Sequence, residues 1–169
     1  MNSLRDDPYD LSRFVEAQVE SFESALAELR AGAKRTHWMW FIFPQVAGLG
    51  YSSMARRYAI HSREEAGSYL SHPILGVRLA ACAEALLAVD GRSAKQIMGD
   101  PDFMKLQSSM TLFSEISERG SVFERVLAEY YGGTKDSKTI EFLRPDEERQ
   151  AQPGATDNPD DAQRLREGH

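Results

Sequence analysis

The residues Gly48-Leu49-Gly50-Tyr51-Ser52-Ser53-Met54-Ala55-Arg56-Arg57 are the ones whose types and order point to anion chemistry. Glycines at 48 and 50 let the backbone turn so that successive N–H groups converge, and Ser52 is placed to cap a helix running from Ser53 to about Ile60. Arg56 and Arg57 then fall in the first turns of that helix, at the positive end of its dipole, where Asp or Glu is the usual choice. An anion held by the N–H groups near Ser53 and by a guanidinium removes the conflict. So do two arginines that reach into water or pair with Glu64 or Glu65. No phosphate-loop lysine follows the glycines, so the pattern is neither a Walker A motif nor a dinucleotide fingerprint.

A second candidate group is the run His37-Trp38-Met39-Trp40-Phe41-Ile42-Phe43-Pro44-Gln45. Its rings supply core area, but His37 and Gln45 bracket them with polar groups, and Trp38 or Trp40 suits a wall on which a base or sugar stacks. Gln18 lies on an apolar helix face between Phe14, Val15 and Phe22, so a buried partner is expected for its carboxamide: a loop carbonyl or a ligand. Lys105 and Ser109 share one side of a helix with Asp102. That spacing allows a lysine-activated serine, but mid-helix serines more often let helices pack closely and bond back to the preceding turn, and packing is the reading favoured over catalysis. His72, ahead of Pro73, completes the candidate polar contacts.

No metal is expected. The histidines are His37, His61, His72 and His169, without an i, i+4 pair, a His-Glu-x-x-His motif or a cysteine cluster. Cys82, the single cysteine, sits in an apolar stripe as a small hydrophobe and fits a reducing, cytoplasmic setting. No cofactor motif is present either.

These residues must be positioned by helices. Leu11 to Arg30 repeats apolar residues at helical spacing, with Asp10 to cap it and Gly32 to end it. His37 to Phe43 is read as helical and stopped by Pro44. Ser62 with Glu65, Ser93 with Gln96 and Ser121 with Glu124 form three capping boxes. Leu75, Leu79, Cys82, Leu86 and Val89 make one stripe, as do Phe103, Leu106, Met110 and Phe113. Asp136 caps a last helix to Leu143. The sum is an all-α, single compact domain of about seven helices over residues 11–144, after an N-terminal extension of residues 1–10.

Formal net charge is −6, and the stretch 145–169 carries seven acidic against three basic side chains, which leaves the body nearly neutral. Extensive binding to nucleic acid or to an anionic membrane surface needs a basic face that this balance does not supply. No apolar run approaches the roughly 20 residues of a membrane span. Residues 145–169 are polar, with Leu165 the one large apolar residue, and read as a disordered acidic tail.

The chain resembles a mainly bacterial family catalogued as domain of unknown function 1810. The match is carried by Arg13-Phe14 with Ala17-Gln18, His37 through Gln45, Gly48-Leu49-Gly50 with Ser52, Tyr58-Ala59-Ile60, Glu65-Ala66 with Tyr69-Leu70, His72-Pro73 with Leu75-Gly76, and Lys105 with Ser108 to Phe113. The resemblance implies a small all-helical domain and transfers no activity.

Together these readings give a site for a small phosphate-bearing or nucleotide-like ligand, drawn from Gln18, His37, Trp38, Trp40, Gln45, Ser53, Arg56, Arg57, His72, Lys105 and Ser109. Binding or hydrolysis of that ligand is one expectation. An interaction module that presents its aromatic run to a partner protein is the alternative.

Overall fold

The computed structural model of the chain describes residues 6–145, and its first helix, α1 (Ser12–Gln18), is capped by Asp7 rather than Asp10. Asp7 accepts from the Leu11 amide at 2.6 Å and the Ser12 amide at 3.0 Å, while Asp10 adopts a left-handed φ of 52° and accepts from the Ser12 hydroxyl. The fold thus begins ahead of Leu11, and Tyr9 already packs on the core. Residues 1–5 lie outside the described residues, as does the tail expected to be disordered over 145–169, save Pro145.

The first periodic stretch is two helices, α1 and α2 (Phe22–Arg30). Residues 19 to 21 break the hydrogen-bond ladder while Val19 and Ser21 keep near-helical dihedrals, so the apolar spacing runs on through the bend. The bend lets α1 pack on α3 (Met39–Ile42), which lies within the aromatic run, and α2 pack on α6 (Leu75–Leu87). Gly32, at a φ of 71°, ends α2 as expected.

Short helices also separate: α4 (Ser53–Arg57), α5 (Arg63–Ser71) and α7 (Ala94–Met98) precede α8 (Asp102–Glu115), α9 (Val122–Tyr131) and α10 (Ser137–Leu143). Among the described residues the count is therefore ten rather than about seven, with one isolated parallel bridge, Val46 to Ile60, as the only strand-like pairing.

Ser52, Ser62, Ser93, Ser121 and Asp136 each accept from the amide three residues on, at 3.0–3.3 Å. Only Ser93 with Gln96 closes the full reciprocal box. Glu65 and Glu124 reach back one residue further, to the amides of His61 and Gly120.

α6, α8 and α9 form the centre, with α2, α5, α7 and α10 packed around them. Leu75, Leu79, Cys82 and Leu86 are buried along α6, whereas Val89 lies past its end and is half-buried. α8 buries Leu106, Met110 and Phe113, but also Ser108, Ser109, Thr111 and Ser114; Phe103 is only half-buried. The hydroxyls of Ser108, Thr111 and Ser114 bond back to Met104, Gln107 and Thr111 carbonyls. Small side chains with self-satisfied hydroxyls let the neighbouring helices approach α8 on several sides.

One cation ties α1 to the α4–α5 junction. The Arg13 guanidinium donates to the carbonyls of Tyr9, Asp10, Arg57 and Ala59 and to Glu65 at 2.9 Å, with both side chains of the pair almost fully buried. Among the described residues no single helix is long and apolar enough to cross a membrane.

Candidate ligand-binding site

Pro44 has no N–H to continue a helix, so α3 stops after one turn and the chain turns out of it at Phe43. Trp38 and Phe43 are directed inward, at 1% and 0% exposure. The Trp38 indole donates to Glu28 at 3.1 Å, and the Lys34 ammonium stands over its ring, 4.9 Å from the centroid. Neither ring can stack on a ligand. Trp40 is the half-buried indole of the run.

Trp40 meets Gln45 and Lys105 in a small depression lined also by Met39, Phe43, Val46, Gly50, Ala55 and Tyr58. The Lys105 ammonium lies 5.8 Å from the centre of the Trp40 ring and 3.7 Å from the Asp102 carboxylate. A ring face, a carboxamide and an ammonium thus border one spot. The cavity they enclose is about 10 Å³, the space of a single water.

The loop from Val46 to Tyr51 closes it. Its root is fixed by the Ala47 amide on the Ile60 carbonyl and the Ile60 amide on the Gln45 carbonyl, both at 2.8 Å. Its far side lies on α4 so closely that a Cβ at Gly50 would stand 2.6 Å from the Ala55 methyl. Gly48 supplies a φ of 95°, a conformation that other residues rarely adopt. Tyr51, at the end of the loop, is 79% exposed.

Other nominated residues stand elsewhere. α4 ends at Arg57 instead of Ile60, which puts Arg56 and Arg57 in its last turn, where the dipole favours positive charge. The electrostatic conflict expected from the sequence is therefore absent. Ser53, Arg56 and Arg57 are exposed, and the Arg57 guanidinium lies over Tyr58 and donates to its hydroxyl at 3.3 Å. His37 is exposed as well.

His72 borders a different groove of about 420 Å³, with Asp7, Tyr9, Ser12 and Ser68. Its Nδ1 accepts from the Ile74 and Leu75 amides at 3.1 and 3.2 Å, so it caps α6. Gln18 is buried and bonded to the Phe41 carbonyl, the Tyr69 hydroxyl and Arg78, which places it in the core with a backbone carbonyl as partner, one that belongs to α3 and not to a loop. Ser109 is fully buried with an unpaired hydroxyl, so Lys105 does not reach it and no lysine-activated serine exists in this geometry.

Glu28, Arg13 and Tyr58 carry roles that spacing did not reveal. Glu28 accepts from the Arg35 and Thr36 amides, the Thr36 hydroxyl and Trp38. Burial alone would raise its pKa, but these hydrogen bonds outweigh it and hold the carboxyl at about 2. Its partners come from the next loop, which no helical periodicity addresses. Among the described residues no group of three or more His, Cys, Asp or Glu side chains is placed to hold a metal ion.

Known proteins bear on this arrangement through two matches. Rv1873, a conserved hypothetical protein from Mycobacterium tuberculosis with a crystal structure, is 52% identical, with 81% of this chain and 98% of that chain covered and a TM-score of 0.80. No curated protein matches. The family model described as protein of unknown function DUF1810 matches residues 8–143, which include every helix from α1 to α10, and the chain belongs to that family.

Proposed function

We propose that the depression at Trp40, Gln45 and Lys105 binds a small phosphate-bearing or nucleotide-like molecule. The observation that carries this reading is the meeting of those three side chains, from the aromatic run and from α8, beneath one glycine-hinged loop. Trp40 offers a stacking face, Gln45 a donor and acceptor, and Lys105 the charge for a phosphate. Arg56 and Arg57 stand on the outer side of α4, whose Ala55 lines the depression, as further charges along the approach. Small-molecule sites usually need about 300 Å³ or more, so the Val46–Tyr51 loop lifts when the ligand enters.

The interaction-module alternative rests on a flat aromatic surface, and Trp38 and Phe43 are buried. Binding rather than turnover is proposed, because the one nucleophile and base read from the sequence are not hydrogen-bonded.

The test is a melting-temperature titration with ribonucleoside monophosphates, repeated with chloride at matched ionic strength to remove screening. Wild type should gain stability from at least one of them, and Lys105→Gln and Trp40→Leu should lose most of that gain. A wild-type response no larger than that to chloride ends the proposal.

A further inference from the structure

Ser109 is the one described side chain whose buried polar atom has no partner. Its neighbours on α8 make this informative, since the hydroxyls of Ser108, Thr111 and Ser114 are each bonded to a carbonyl one turn back. A fully buried hydroxyl left unpaired costs stability that an alanine would not. Its position is fixed by the helix. Ser109 lies one turn beyond Lys105 and one turn before Phe113, on the same side of α8. Lys105 faces the Trp40 ring, and Phe113 packs on Tyr69 with centroids 5.4 Å apart, Tyr69 in turn donating to the Phe41 carbonyl. Ser109 therefore stands one helical turn along α8 from Lys105, on that same side and fully buried, and the closed depression does not include it.

We infer that Ser109 is the inner end of the site proposed above, and that it receives the hydrogen-bonding edge of a heteroaromatic base whose phosphate stays outside on Lys105. The inference rests on that site reading and narrows its ligand class. A hydroxyl both donates and accepts, which suits the amide or amidine edge of a purine or pyrimidine. A phosphate at the same depth would be stripped of water among aromatic rings, with the Lys105 ammonium a full turn nearer to solvent. The base then stacks on Trp40 once the loop has lifted, and the charged end remains where the side chain of Lys105 is 30% exposed. A site that keeps a buried hydroxyl for its ligand also discriminates strongly against a ring of similar shape that lacks the matching group.

The experiment compares wild type, Ser109→Ala and Lys105→Gln by melting temperature, alone and titrated with the four ribonucleoside monophosphates, phenyl phosphate and inorganic phosphate. Ser109→Ala without ligand should melt at a higher temperature than wild type, because it removes an uncompensated group. The same variant should bind the preferred monophosphate tenfold or more weakly, while its weak response to phenyl phosphate, which has a ring and a phosphate but no hydrogen-bonding edge, stays as in wild type. A lower melting temperature for Ser109→Ala would show that the hydroxyl is satisfied inside the protein, and would overturn the inference. So would an unchanged monophosphate affinity in Ser109→Ala beside a weakened one in Lys105→Gln, an outcome that leaves the site itself standing. Failure of every probe to stabilise wild type removes the site and this inference together.

Discussion

The side-chain amide of Gln18 donates to the carbonyl of Phe41 across 2.7 Å, and the same nitrogen lies 3.2 Å from the Tyr69 hydroxyl. Three elements meet at this one carboxamide: α1, the aromatic turn α3 and α5. Arg78 of α6 adds a fourth by donating to its oxygen at 3.4 Å. Gln18→Leu fills the space but removes the short hydrogen bond to the Phe41 carbonyl, leaving it only the Tyr69 hydroxyl at 3.5 Å, and should cost about 1–3 kcal/mol. Urea unfolding reads this as a lower midpoint at unchanged slope. An unchanged midpoint would mean that the carboxamide does not hold α3 in place.

Glu28 sets a pH dependence whose sign follows from its hydrogen bonds. Those bonds hold its carboxyl at about 2 in the fold, against 4.5 for a free glutamate. The folded state therefore binds the proton less readily than the unfolded chain. Its contribution is fully present above about pH 4.5 and is lost as the pH falls from there toward 2. Glu28→Gln should unfold more easily at pH 7 and show a flatter loss of stability across that acid window. Denaturant midpoints at intervals from pH 6 to pH 2.5 measure both.

Two glycines separate crowding from conformational freedom. A Cβ at Gly76 would stand 1.9 Å from the Leu70 carbonyl oxygen, which is backbone and cannot yield without moving α5 against α6. Gly76→Ala should cost at least the roughly 3 kcal/mol at the top of the usual overpacking range. Gly67, inside α5, has nothing within 4 Å of the same atom, so Gly67→Ala should stabilise by about 0.5–1 kcal/mol. Thermal unfolding of the two variants should move in opposite directions.

Burial pushes the Cys82 thiol up to about 12, with Arg30 and Arg78 opposing the shift. Native protein at pH 8 should then leave a bulky aromatic disulfide reagent unreacted, and react with it fully once unfolded. Cys82→Ser places a hydroxyl in that apolar site and should cost about 1–3 kcal/mol. Rapid modification of the native thiol would show that the α6 stripe opens readily.

Much of the helical framework could be read from local chemistry. Serines at 52, 62, 93 and 121 act as caps because a side-chain oxygen satisfies an amide three residues on, a relationship contained within one turn. The α6 stripe was legible for a similar reason, since one helix buries one face and the spacing of Leu75, Leu79, Cys82 and Leu86 records it. What spacing could not show was the bend at residues 19–21. Val19 and Ser21 keep near-helical dihedrals, so the periodicity continues while the helix axis turns.

Of the candidate site, the sequence supplied the residue types, and only tertiary contacts decided which of them meet. Trp40 and Gln45 meet Lys105 of α8 only through tertiary packing, whereas His72 is held in a capping role beside a different groove. The length of α4 decided the standing of Arg56 and Arg57: the chain leaves the helix after Arg57, where the Arg13 guanidinium takes the carbonyls of Arg57 and Ala59. That partner lies more than forty residues earlier. Neither propensity nor spacing reports such a contact, because its energy is gained only when distant segments are already packed together.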